Sequence, residues 1–65
     1  MRNRIRELRE RASLTQEQLA ERVHVSRQTI NSLERGRYNP SVLLAYNISQ
    51  VFRTNIERVF VFDEG

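Results

Sequence analysis

The chain has 65 residues and a net charge of +3, with eleven arginines, no lysine and no cysteine. A domain of this size buries only about 60% of the surface of its unfolded chain, which leaves little room for a substrate pocket. Without cysteine there is neither a disulfide nor a thiolate metal site, and the single histidine, His24, has no second ligand. No apolar stretch is long enough to span a membrane, and no signal peptide is visible. We therefore expect one cytoplasmic domain over residues 1–65, with no catalytic residue, metal, cofactor or membrane contact.

The positive charge is unevenly distributed along the chain. Residues 1–12 carry five arginines against two glutamates, and residues 26–40 carry three arginines against one glutamate. The remaining segments each hold one more acidic than basic residue. Such asymmetry suits a polyanionic partner such as nucleic acid, although charge alone does not distinguish this from an ordinary solvated surface.

The first two predicted helices are short and mostly polar. Residues 2–12 have helix-forming composition, and Ile5 and Leu8 form a narrow apolar stripe. Thr15 opens the second helix with a capping box, because its side chain can accept from the third helical amide while Gln18 reaches back. The inward face of the second helix comprises Leu19, Ala20 and Val23.

The third predicted helix spans about Ser26–Arg35. Ser26 is a suitable N-cap, and Gly36 fits the left-handed position that follows a helix end. Ile30 and Leu33 lie three residues apart and point inward. The opposite face carries the polar side chains of Arg27, Gln28, Asn31, Ser32 and Arg35.

Two further helices and a strand complete the prediction. Pro40 ends the loop after the third helix, and Ser41 caps a fourth helix that runs to about Phe52. A second capping-box pattern, Thr54–Glu57, opens one short helical turn. The β-branched and aromatic run at residues 59–62 predicts a strand. The predicted fold class is therefore all-α, with five helices and a short C-terminal β-strand.

Residues 15–40 meet four conditions of a helix-turn-helix. The crossing of its two helices needs a small residue, which is Ala20, and the turn needs an apolar anchor, which is Val25. The second helix of the motif must be buried on one side only, and its other side must carry long polar side chains that reach base edges. Each condition alone is weak, but their combination at consistent spacing indicates DNA binding with the third helix in the major groove.

These residues resemble the phage-repressor family of small transcriptional regulators, the Cro-like or Xre-type helix-turn-helix proteins. The match is carried by Leu14-Thr15-Gln16, Leu19-Ala20, Val23, Val25-Ser26-Arg27-Gln28-Thr29-Ile30, Leu33-Glu34, Gly36 and Asn39-Pro40-Ser41. The resemblance implies a lambda-repressor-like domain without an appended sensor domain or an evident small-molecule effector, which binds double-stranded DNA, usually as a dimer. One departure is His24, where the family often has glycine in the turn.

The resemblance also implies roles for single residues. Arg27 and Gln28 lie in the first turn of the recognition helix, where arginine can bridge two guanine acceptors and glutamine can pair with adenine. Ser32 lies one turn further on, and Thr29 either touches DNA or packs. Arg9 is expected to pair with Glu34, either as a plain structural ion pair or facing a phosphate as well. The expected phosphate contacts are Gln16, Ser26, Asn31, Arg37, Tyr38 and Asn39.

The C-terminal run has two interpretations. Phe60, Val61 and Phe62 form either a two-stranded ribbon with a second copy across a dimer axis or a tail against their own core. We favour the ribbon, because it would pair an otherwise exposed strand edge. A symmetric homodimer would present two recognition helices about 34 Å apart to a palindromic site. Two other functions remain open: an antitoxin-type protein-binding module that also binds its own operator, and a fold that uses this face only for protein contacts.

Overall fold

This computed structural model describes residues 1–62, which contain five helices. They are α1 Ile5–Arg11, α2 Gln16–Arg22, α3 Arg27–Glu34, α4 Val42–Val51 and α5 Ile56–Val59. α3 packs against both α1 and α2, and α4 packs against α5. The predicted all-α fold with five helices is confirmed. No helix in the described residues is long and apolar enough to cross a membrane.

The core includes the inward positions that helical spacing predicted in the first three helices. Ile30 and Leu33 from α3 are completely buried, as are Ile5 from α1 and Leu19 from α2. Burying a side chain of this kind contributes roughly 1.5–3 kcal/mol. Leu8, which continues the apolar stripe of α1, is half-buried against the same cluster. The side chains that complete the core are Ala20, Val23, Leu44, Ala45, Ile48, Val59 and Phe60.

The first helix begins at Ile5, so its predicted start at residue 2 was wrong. Asn3 instead forms an antiparallel bridge with Phe60, at the other end of the described chain. Arginine-rich composition favoured helix through residues 2–4, since arginine is a good helix former. Pairing with a segment far along the chain overrides that local preference.

The predicted C-terminal strand is reduced to a single bridge. Val59 is the last residue of α5, and Phe60 alone pairs as in a strand. The Arg4 amide donates to the Val59 carbonyl at 2.7 Å, and the Val61 amide donates to the Arg2 carbonyl at 2.9 Å. The β-branched and aromatic run at residues 59–62 suggested a strand, but Val59 belongs to α5 and is completely buried there.

α2, α3 and α4 begin directly after their predicted capping residues, and α5 begins one residue later than predicted. The side-chain oxygens that cap α2, α3 and α4 belong to Thr15, Ser26 and Ser41. α5 begins after Asn55 rather than Thr54, and Asn55 accepts a hydrogen bond from the Arg58 amide at 3.2 Å. Thr54 belongs instead to the end of α4, where its amide donates to the Ser49 carbonyl.

The first four helices end in the same backbone closure. In each, a left-handed residue lies two positions beyond the last helical residue, and the next amide donates to the carbonyl five residues earlier at 3.0 Å. The left-handed residues are Ser13, His24, Gly36 and Arg53. Only Gly36 is glycine, and a Cβ there would lie 3.1 Å from the Met1 carbonyl oxygen. The closure therefore forms without glycine at three of four sites, including the turn between α2 and α3.

Replacing His24 with glycine is expected to raise the free energy of unfolding by roughly 0.5–1 kcal/mol. His24 has φ 60°, a conformation that costs an L-residue about 1–2 kcal/mol, and the greater entropy of unfolded glycine offsets part of the gain. Chemical denaturation of the two proteins measures the difference. Ser13→Gly, at φ 59° outside the motif, is the matched control and should gain similarly. A lower stability for His24→Gly would show that the imidazole makes a compensating contact.

Candidate nucleic-acid interface

α2 and α3 form the predicted helix-turn-helix. Ala20 is 2% exposed, so its small side chain lets the two helices approach closely. Val25 is half-buried against the core and closes the turn by donating its amide to the Ala20 carbonyl. His24 is exposed at the outside of the turn. The angle between the helices is therefore set by apolar packing and one backbone closure.

α3 buries one side and exposes the other. Ile30 and Leu33 are 0% exposed, and Gln28 lies nearly opposite them on a helical projection. Arg27 and Gln28 are both exposed, and neither side chain forms a hydrogen bond or ion pair with any other residue in the range 1–62. The polar groups of both side chains are therefore available to a ligand.

Two open grooves flank the exposed side of α3. The groove towards α1 and α2, here the arginine groove, is lined by Arg6, Arg9, Gln16, Asn31, Glu34 and Arg35. The groove towards the following loop, here the tyrosine groove, is lined by Ser26, Gln28, Thr29, Ser32 and Tyr38. Both grooves thus contain predicted phosphate contacts, whereas Arg27 lines a third groove together with Arg9, Thr15 and Gln16.

A nearly buried ion pair forms the floor of the arginine groove. Arg9 Nε donates to Glu34 Oε2 at 2.6 Å, and the second terminal nitrogen donates to Oε1 at 3.3 Å. The two side chains are 13% and 5% exposed. The hydrogen bond to Glu34 raises the pKa of Arg9 above its usual value, although burial acts in the opposite direction. The predicted Arg9–Glu34 pair is present, and it ties α1 to the last turn of α3.

The same network fixes the side chain of Gln16. Its amide nitrogen donates to Glu34 Oε1 at 3.1 Å, while Arg9 also donates to the Leu14 carbonyl at 2.8 Å. A glutamine amide has two hydrogens and a carbonyl oxygen. One hydrogen and the oxygen of Gln16 have no other partner among residues 1–62 and remain for a ligand, and the bond to Glu34 orients the side chain that presents them.

Ser26 and Thr29 are engaged with each other at the start of α3. The Ser26 hydroxyl accepts from the Thr29 amide at 3.1 Å and shares a hydrogen bond with the Thr29 hydroxyl at 3.0 Å. Thr29 is half-buried. Any contact that these hydroxyls make with DNA would have to share them with the helix cap.

The loop after α3 carries the remaining predicted phosphate contacts. Arg37, Tyr38 and Asn39 are all exposed. The Arg37 amide donates to the Ser32 carbonyl at 3.0 Å, which anchors the start of the loop to α3. Tyr38, which is 43% exposed, forms part of the tyrosine groove. The loop is thus placed beside the exposed side of the recognition helix.

Two arginines in the arginine groove are absent from the predicted set of DNA contacts. Arg35 was recognised on the polar face of α3, seven residues after Gln28, but Arg6 was not considered. Arg6 donates to Glu10 at 3.3 Å and both side chains are largely exposed. Its spacing from Arg9, one helical turn earlier in α1, was the available sequence signal.

The predicted dimer contacts differ in exposure. Phe60 is 2% exposed and belongs to the core, whereas Phe62 is 56% exposed. Val61 is half-buried. Of the two phenylalanines, only Phe60 packs inward. A partner would therefore meet the side chains of Val61 and Phe62, and only the backbone of Phe60.

Comparison with known proteins agrees with this geometry. A helix-turn-helix family model matches residues 5–59. An uncharacterized HTH-type transcriptional regulator of Archaeoglobus fulgidus is 56% identical over 64 residues, covering 98% of this chain and 90% of the relative. The HTH-type transcriptional regulator YgzD of Bacillus subtilis, also named as uncharacterized, is 45% identical, covering 98% and 97%.

One solved structure shares both the fold and part of the sequence of this chain. The restriction-modification controller protein C.AhdI from Aeromonas hydrophila superimposes with a TM-score of 0.80 and 30% identity, covering 88% of this chain and 86% of that protein. The family match spans most of the chain, and the relatives match over nearly their full length. The chain therefore belongs to the helix-turn-helix family of DNA-binding transcriptional regulators.

Proposed function

We propose that this protein is a small transcriptional regulator that binds double-stranded DNA sequence-specifically, with α3 lying in the major groove. The observation that carries the proposal is the exposed pair Arg27 and Gln28 at the start of α3, neither of which has a side-chain partner among residues 1–62. Long polar side chains at the N-terminal end of a recognition helix are those that contact base edges in this kind of motif. The relatives named as HTH-type transcriptional regulators support the same assignment.

Base contacts are assigned to the side of α3 that faces away from the core. Arg27 would bridge the two major-groove acceptors of a guanine, and Gln28 would pair with the donor and acceptor of an adenine. Ser32 and Thr29 line the tyrosine groove beside them and would add shorter contacts. Specificity should therefore depend mainly on the first turn of α3.

Phosphate contacts are assigned to the two grooves. Gln16 and Asn31 would bind one strand from the arginine groove, where the positive charges of Arg6 and Arg35 strengthen the attraction. Ser26 and the loop at residues 37–39 would bind the other strand from the tyrosine groove. Such contacts fix the orientation of α3 on the duplex without reading sequence.

Replacing Arg37 with alanine is expected to weaken binding to preferred and scrambled duplexes by similar factors. Removing one phosphate interaction should reduce the magnitude of the slope of log affinity against log salt by about 0.9. Titration of both duplexes at several salt concentrations measures this. Arg58→Ala removes an exposed arginine on α5, outside both grooves, and should leave the slope nearly unchanged. Equal slopes for the two variants would exclude Arg37 from the residues that bind phosphate.

Homodimerisation is assigned to the free edge of the C-terminal segment. The backbone groups of Val59 and Val61 are engaged with residues 2–4. Because successive peptide groups alternate in an extended chain, the Phe60 carbonyl and the Phe62 amide face the opposite edge. A second copy could pair there in an antiparallel ribbon, with Phe62 packed across the two-fold axis. The N-terminal segment therefore covers one edge, and the proposed dimer covers the other.

Replacing Phe62 with glutamate is expected to convert the dimer to monomer. The side chain is 56% exposed, so the substitution should spare the fold while placing two carboxylates near the two-fold axis. Sedimentation measures the oligomeric state. Leu43→Glu, at a 68% exposed position on α4, is the matched control and should remain dimeric. The opposite result would move the dimer interface to α4.

Selection of bound sequences from random duplex DNA, repeated at two salt concentrations, tests the function as a whole. Enrichment of a short palindromic motif is expected, with each half-site read by one copy of α3. A single unpaired half-site would contradict the dimer but not DNA recognition. Absence of any enriched motif would contradict sequence-specific binding.

A further inference from the structure

Asn3 joins three parts of the molecule. Its side-chain nitrogen donates to the Leu33 carbonyl in the last turn of α3 at 2.7 Å. Its side-chain oxygen accepts from the Ile5 amide at the start of α1 at 3.1 Å. Its backbone lies in the bridge to Phe60. The residue is half-buried, and a donor on one side with an acceptor on the other fixes the orientation of the amide.

The backbone on either side of Asn3 is held independently of α3. The Arg4 amide donates to the Val59 carbonyl at 2.7 Å, and the Val61 amide donates to the Arg2 carbonyl at 2.9 Å. The side-chain amide of Asn3 is therefore bonded to the start of α1, and its backbone is paired with the C-terminal segment. It provides a fixed point against which the end of α3 is placed.

The two ends of α3 are anchored by different interactions. The start is held by the turn, where Val25 packs on the core and its amide closes on Ala20. The far end is held by the Arg9–Glu34 pair, by the bond from Asn3 to the Leu33 carbonyl, and by a bond at 3.0 Å from the Met1 ammonium to the carbonyl of Gly36, just beyond the helix. A helix of this length spans about 12 Å, so a tilt of roughly 5° about its start moves the far end by about 1 Å. Ser32, the proposed base contact in the second half of α3, moves with that end, and hydrogen bonds weaken over such displacements.

We propose that Asn3 is a positioning residue for DNA recognition, which holds the last turn of α3 at the tilt at which its side chains reach the correct base edges. The inference rests on the proposed DNA-binding function. Asn3 contacts no DNA in this assignment, and it acts through the backbone of Leu33. Its contribution therefore falls on discrimination between sequences, whereas removal of a phosphate-binding side chain weakens binding to all sequences alike.

The test compares variants of Asn3 with a charge-matched control in the full-length chain. Asn3→Asp keeps the size and the acceptor for the Ile5 amide but presents an oxygen to the Leu33 carbonyl. Asn3→Ser keeps a short hydroxyl that can accept from the Ile5 amide, loses the amide nitrogen that donates to the Leu33 carbonyl, and adds no charge. Asn55→Asp adds the same charge at the cap of α5, where aspartate caps as well as asparagine. Each protein is titrated with the selected duplex and with a scrambled duplex, below its measured melting temperature.

Both Asn3 variants are expected to lower the ratio of affinities for the selected and scrambled duplexes by up to about tenfold, the usual effect of losing one hydrogen bond. The Asn55→Asp protein should keep the wild-type ratio. Folded Asn3 variants with an unchanged ratio would overturn the proposal, and failure of both to fold would make the role purely structural and overturn it too. If the wild-type protein itself shows no discrimination, the proposed function fails instead.

Discussion

Replacing Arg9 with alanine is expected to lower the free energy of unfolding by about 3–5 kcal/mol, the usual effect of breaking a buried ion pair. The variant leaves the carboxylate of Glu34, only 5% exposed, without its counter-charge. Gln16 would be its one remaining side-chain partner among residues 1–62. A small domain has a total stability of roughly 5–15 kcal/mol, so this single change should bring the protein close to unfolding. Chemical denaturation at neutral pH measures the loss.

Arg6→Ala is the matched control for that experiment. Arg6 also pairs with a glutamate, Glu10, but the two side chains are 74% and 57% exposed. Exposed pairs contribute little because water screens them, so this variant should unfold near the wild-type midpoint. If Arg9→Ala is no less stable than Arg6→Ala, the ion pair between α1 and α3 does not stabilise the site.

Replacing Arg27 with alanine is expected to weaken binding to the preferred duplex by about 1–3 kcal/mol and to relax the preference at one base position. The reason is loss of a guanidinium that bridges two acceptors of one guanine. Arg27 is exposed and makes no side-chain hydrogen bond with residues 1–62, so the stability of the fold should change little. The affinity and the selected sequence motif are both measured, because only the motif separates base reading from general attraction.

Arg27→Lys distinguishes shape from charge at the same position. Lysine keeps the positive charge but cannot form the planar two-point contact. We therefore expect affinity for scrambled DNA to be retained while preference at that base position is lost. An Arg27→Ala protein whose selected motif matches that of the wild type would exclude Arg27 as a base-contacting residue.

The local features of the motif followed from the sequence because they depend on neighbouring residues. The spacing of Ile30 and Leu33 determined which side of α3 is buried, and Thr15 and Ser26 marked the helix starts. The left-handed turn at His24 fits the glycine that the family often has there, and histidine tolerates that conformation better than most residues. The Arg9–Glu34 pair was expected only through the family resemblance, since the two residues lie 25 positions apart.

The sequence did not reveal which segments meet across the whole chain. Nothing near Asn3 indicates that it pairs with Phe60 and binds the Leu33 carbonyl, because both partners are distant in sequence. Likewise, the run from Val59 looks like a strand until its burial in a helical turn is known.

The sequence by itself therefore determined the helix-turn-helix and the side chains that α3 presents, because helical periodicity and capping act within a few residues. Only the tertiary structure decided how the site is held in place. It showed the two grooves beside α3, the network of Arg9, Gln16 and Glu34, and the attachment of the last turn of α3 to Asn3. These depend on contacts between distant segments, which form only when burial of the shared core brings those segments together.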